Sequence, residues 1–217
     1  MLTMLRYRLI WCAVVLWAGL AHADKPPNIT VGEVALLPEY CQDTLTFATS
    51  GGESGPNERQ RRWIGAMGRG FWAMHHYCWA LVSEYRASAA GVSPQMRDYL
   101  LKSAIEDSHF VLAHSQPGFV MLPEVYTRMG DFSIKRKRLD EAHVFFSNAR
   151  EAKPDYWPPY VRQAQMLMSL NEWQSARRII ETGLGHMPDQ PQLLEVQRQL
   201  HKRVKDKPVA AAASSPK

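Results

Sequence analysis

The amino-acid sequence predicts an all-α chain in which antiparallel helix pairs stack as a short α-solenoid behind an irregular N-terminal segment. Three observations point there. From Phe71 onward apolar residues recur mostly at three- and four-residue spacing, which places them on one face of a helix. Proline and glycine pairs interrupt these runs at intervals suited to helix–turn–helix units. The second half of the chain also repeats itself with a period of 34 residues, and such a period marks stacked supersecondary units.

The chain opens on a leader. Arg6 and Arg8 precede an uncharged apolar run from Leu9 to Leu20, and Ala21-His22-Ala23 supplies small residues for cleavage before Asp24. This is the plan of a signal peptide over 1–23, and the run is shorter than the ~20 residues that span a bilayer. Cleavage would leave a chain with no second apolar run of membrane length. The formal charge of +5 falls to +3, because the leader carries two arginines and no acid. That excess is too small and too scattered for a nucleic-acid face.

Residues 24–62 read as irregular, with a turn or short helix near Leu36 to Cys41 and a Gly-rich loop at 49–57. Residues 63–205 read as helical. Trp63, Ile64 and Met67 start an apolar pattern that Gly65, Gly68 and Gly70 weaken. Phe71, Met74, Cys78, Leu81, Val82 and Tyr85 share one helix face. Ser93 and Pro94 are the N-cap and first residue of the next helix, whose apolar side holds Met96, Tyr99, Leu100, Ala104, Ser108, Val111 and Leu112 and which stops at Pro117-Gly118. Helices are expected at about 120–132, 139–152, 157–170, 172–186 and 189–205. Residues 206–217, rich in Ala, Ser, Pro and Lys, read as a disordered tail.

The repeat covers 123–156 and 157–190. Tyr126 pairs with Tyr160, Gly130 with Ala164, Ala142 with Ala176, Phe146 with Ile180 and Pro154 with Pro188, each 34 apart. The small residues let one helix lie close on its partner, the bulky ones fill the wedge, and the proline ends the unit. An earlier unit built on Trp79-Ala80 and Ala104 is degenerate, with a gap of 24 where the others have 12. Leu193, Leu194, Val196 and Leu200 read as a terminal capping helix.

The series of aromatic, small residue, alanine, aromatic, alanine and proline resembles the tetratricopeptide repeat. Leu37-Pro38-Glu39-Tyr40-Cys41, Met74-His75-His76-Tyr77-Cys78-Trp79 and Leu122-Pro123-Glu124-Val125-Tyr126 further resemble a group of exported tetratricopeptide-repeat proteins of Gram-negative bacteria. The resemblance implies a periplasmic protein that binds a protein or peptide partner as a scaffold within an envelope assembly. It carries no catalytic activity over to this chain.

Two cysteines remain after the leader, Cys41 and Cys78. In an oxidising compartment they are expected to form a disulfide, worth about 3–4 kcal/mol for a loop of this length; the alternative is two buried thiols. His75, His76 and Cys78 together suggest a second alternative, a small metal-binding protein, since imidazole and thiolate suit zinc or copper. No haem-attachment, metalloprotease or phosphate-loop motif occurs. No cofactor and no catalytic residue is assigned. Glu106-Asp107 and Asp140-Glu141 read as solvated surface charge, and Lys135 to Arg138 as an exposed basic turn.

The partner groove is placed by resemblance on the first helices of the repeats. Arg128 and Arg162 occupy one register position, where two guanidiniums could grip a carboxylate. Glu124, Thr127, Asp131, Gln165 and Met168 are their expected neighbours.

Overall fold

Where the early helices begin, the sequence supplies an acceptor for amides that have no partner in the first turn. Thr30, Asn57 and Ser93 cap the amides of Glu33, Gln60 and Met96, and Glu33 and Gln60 return a bond to their own caps. The helices that start at Leu122 and Pro158 have no side-chain cap and carry proline in the first turn instead. The computed structural model describes residues 25–45, 47 and 55–205. The leader, the tail and most of the Gly-rich loop lie outside them. Helices α1 (Val31–Ala35), α2 (Glu58–Met67), α3 (Met74–Ala87), α4 (Pro94–His114), α5 (Leu122–Lys135), α6 (Leu139–Ala152), α7 (Pro158–Ser169), α8 (Trp173–His186) and α9 (Pro191–Lys205) follow in order. Short 3-10 turns occupy Glu39–Asp43 and Gly68–Ala73. Among the described residues there is no strand, and no helix is long and apolar enough to cross a membrane.

Helices pair as α3 with α4, α5 with α6 and α7 with α8, and α9 closes the stack against α7 and α8. In addition α5 lies on α7 and α7 on α9, whereas no comparable contact joins α4, α6 and α8. Helices α5, α7 and α9 therefore form a close inner layer, to which α3 is joined by side-chain bonds, and the second helices a splayed outer one, which makes the inner face concave.

Both repeats turn from one helix to the next in the same way. Lys137 and Asn171, 34 apart, each take a positive φ of 62°. Arg138 N–H then reaches back to Ser133 O at 2.8 Å and Glu172 N–H to Leu167 O at 2.9 Å. These are Schellman closures that satisfy the last carbonyls of α5 and α7.

The repeat positions meet where the register put them. Ala142, Phe146, Ala149, Ala164, Ala176 and Ile180 are all buried. A Cβ built on Gly130 would lie 2.5 Å from the Phe146 ring, so only glycine lets α5 approach α6 this closely. The apolar interior falls into two parts: one spans Tyr40 to Phe132 and the other Ala142 to Leu200. The degenerate unit absorbs its extra residues in length, since α4 runs for 21 residues where α6 and α8 run for 14. Ala80 and Ala104 are both buried within that pair.

Structure appears inside the segment read as irregular. Residues 30–43 form a strap against α3, and α2 already starts at Glu58. Cys41 and Cys78 are joined by a disulfide and are fully buried. Arg86 on α3 donates to both carboxylate oxygens of Glu33 and to the carbonyls of Pro27 and Asn28. Asp43 takes bonds from Arg59 and Trp63, each at 2.7 Å, which tie α2 to the same strap.

Several side chains differ from the pattern. Tyr85, Met96 and Tyr99 are exposed, because Tyr85 faces the concave side and the first turns of α4 stand clear of the core. Asp107 is buried, not solvated, and its carboxylate accepts from His76 Nδ1 at 2.7 Å.

Candidate functional site

The inner face carries a trough across α3, α5 and α7. Two cavities form it, of about 500 and 340 Å³, and they share Glu84 and Arg128. In the larger, Leu81, Val82 and Tyr85 of α3 face Leu36, Leu37 and Pro38 of the strap. In the smaller, Arg128, Asp131, Lys135, Arg162 and Gln165 line the wall.

The structure brings together most of the residues that the repeat register singled out. Arg128 pairs with Glu124 at 3.2 Å and Glu84 at 3.6 Å, and Arg162 with Asp131 at 3.5 Å. Lys135 donates to Glu84 at 2.6 Å, so the first residue of the basic turn belongs to the trough. Gln165 is exposed beside Arg162, and Met168 is half-buried. Thr127 is turned away: it is buried, and its hydroxyl donates to Pro123 O within its own helix.

The charges are layered. Formal acids and bases balance, yet the side chains of Glu84, Asp131 and Glu124 are 14, 15 and 30% exposed, whereas Arg128, Lys135 and Arg162 are 37, 41 and 52% exposed. Carboxylates form the floor and hold the cations above them. Burial works against the Arg128 charge, but Tyr77 and the Glu84 and Glu124 carboxylates more than offset that and raise its pKa. Burial pushes the Asp131 carboxyl up, against the pull of Arg162 and Arg128. Arg162 meets Asp131 through its Nε, and about half of its side chain stays exposed.

Glu124 is the hub of the floor. It accepts from the Tyr77 and Tyr156 hydroxyls as well as from Arg128. Burial, then the neighbouring Glu124 charge, lifts the Tyr77 phenol well above its ordinary range, so it stays a donor. Glu84 was the residue least accessible to sequence reasoning, because it lies in the degenerate unit where no register assigns it a place.

The metal reading of His75, His76 and Cys78 fails on geometry. The Cys78 sulfur is bonded to Cys41, His76 Nδ1 is engaged by Asp107, and His75 Nδ1 lies 2.7 Å from Trp72 O. Among the described residues no three His, Cys, Asp or Glu side chains come together to hold an ion. The rings are packed instead: His76 stacks on Phe110 at 3.7 Å, and Phe110 on His114 at 3.8 Å.

Paired helices with a small residue at each crossing and the same closing turn in both copies agree with the comparison of the sequence against known families. Residues 133–200 match the tetratricopeptide repeat family. The match runs from the end of α5 through α6, α7 and α8 into α9. No curated protein and no solved structure matches the chain. Tetratricopeptide repeats are in general interaction modules without catalysis, which directs attention to the inner face.

Proposed function

We propose that the chain is a protein–protein interaction module whose trough holds an extended acidic segment of a partner, in a scaffold of the bacterial envelope. One observation carries this reading: carboxylates hold Arg128, Lys135 and Arg162 in place while their side chains stay 37, 41 and 52% exposed. A cation already braced from below loses little side-chain freedom on meeting a ligand carboxylate, and its bonds are charge-assisted. The mechanism is differential burial on a rigid surface, with no bond chemistry assigned. The periplasm is the compartment that fits the basic-apolar-small pattern of residues 1–23 and the Cys41–Cys78 bridge.

The test uses labelled peptides of about twelve residues, long enough when extended to span roughly 40 Å. An Asp/Ser/Gly peptide should bind the oxidised chain, and a Lys/Ser/Gly peptide should not. Arg162→Ala should weaken binding about tenfold, near the ~1.4 kcal/mol that a tenfold change represents. Arg128→Ala with Arg162→Ala should abolish it while the helical melting curve persists. Equal binding of the acidic and basic peptides, or an unchanged affinity in the double variant, would refute the reading.

A further inference from the structure

The strap is an addition to the repeats, and it changes the trough. On the α5–α7 side the wall is charged. On the α3 side it is apolar, because Leu36, Leu37 and Pro38 stand opposite Leu81, Val82 and Tyr85 across the cavity of about 500 Å³. Leu36 and Tyr85 are 61% and 54% exposed, so two large apolar side chains face solvent from opposite walls of one concavity. The polar groups around them are already engaged: Glu33 by Arg86, Glu84 by Lys135 and Arg128, Glu124 by Tyr77, Tyr156 and Arg128. Such a cleft offers a polar ligand few partners and an apolar side chain two faces to bury against.

We propose that the strap and α3 form an apolar subsite that takes one bulky apolar side chain of the partner, lying beside the carboxylates that reach Arg128 and Arg162. The proposal rests on the reading of the trough given above. Continuity and charge decide the occupant. The apolar cavity and the cationic wall share Glu84 and Arg128, so a single extended segment passes from one to the other without leaving the surface. Acidic residues adjoining a Phe or Leu match that order, whereas a basic amphipathic segment would set its charges against the cationic rim. The strap wall is held in place by the Cys41–Cys78 bridge and by Arg86, which makes the subsite preformed.

The probes are acidic Asp/Ser/Gly peptides carrying a single Phe at successive positions, each compared with the peptide that has Ser there. At one position Phe should tighten binding to the oxidised chain by tenfold or more. Leu36→Ser with Tyr85→Ser, both at exposed sites, should erase that gain, so that the Phe and Ser peptides bind the variant alike. Leu170→Ser, an exposed apolar residue elsewhere, should leave the gain intact. No gain from Phe at any position, or a gain that survives in the double variant, would overturn the subsite. Loss of binding by every acidic peptide would instead overturn the trough reading and the subsite with it.

Discussion

Replacing Gly130 with alanine tests the helix crossing on which the inner face depends. In an unconstrained helix the change stabilises by about 1 kcal/mol through propensity alone. At Gly130 the new Cβ would lie 2.5, 2.7 and 2.8 Å from three atoms of the Phe146 ring, closer than packed carbons tolerate. Phe146 is fully buried, so its ring has no free space to enter. Overpacking of this kind costs about 1–3 kcal/mol, and the balance is a loss of up to about 2 kcal/mol. Gly65 provides the reference, since it lies inside α2 with nothing within 4 Å of its built Cβ. Gly65→Ala should therefore raise stability by up to about 1 kcal/mol. The second repeat indicates how the clash is relieved, because the same register positions there hold Ala164 and Ile180. Gly130→Ala with Phe146→Ile recreates that pair and should recover at least 1 kcal/mol relative to the sum of the two single changes, a coupling expected of contacting residues. Urea unfolding of the four proteins measures it. Additive effects, or equal gains from Gly65→Ala and Gly130→Ala, would refute the crossing.

Three further outcomes follow from the structure. Lys137→Gly should raise stability by roughly 1 kcal/mol, since the left-handed conformation at φ 62° costs a side chain about that much; thermal melting checks it, and a loss would remove the Schellman turn from the account. Exchanging both Cys41 and Cys78 for alanine should cost about 3–4 kcal/mol from a loop of 37 residues, read from the denaturant midpoint. The Glu33 carboxyl is held at about 2, below its usual 4.5, chiefly by its bond from Arg86. A depressed acid stabilises fully above its ordinary pKa and loses that contribution as pH falls toward the folded one. The Arg86 Nε–H resonance should thus persist from neutral pH to about 4.5 and fade toward about 2, and a change centred near 4.5 would contradict the pair.

The second half of the fold was legible because its determinants are local and repeated. The 34-residue matches placed Ala142 and Ala176 at crossings, and α6 ends where periodicity and Pro154 put it. Ser93 and Pro94 marked the start of α4 for the same reason. The strap was less visible. Its one local signal, Thr30 three residues before Glu33, is a capping box that an otherwise irregular composition conceals, and its hold on Arg86 is made across the fold. Periodicity also placed Tyr85, Met96 and Tyr99 on the apolar faces of their helices, and helical spacing cannot tell a core from a concave surface open to solvent. At the site, register found Arg128 and Arg162 with Glu124 and Asp131 but not Glu84, since Glu84 reaches Arg128 and Lys135 only by ion pairs made from α3 to α5.

Hydrogen exchange with and without an acidic, Phe-containing peptide tests the trough most directly. Binding should slow exchange in α5 and α7 and in the strap at residues 33–38, and leave the outer helices α6 and α8 unchanged. Protection confined to α6 and α8, or none at a peptide concentration that saturates binding, would contradict the inner face as the partner surface.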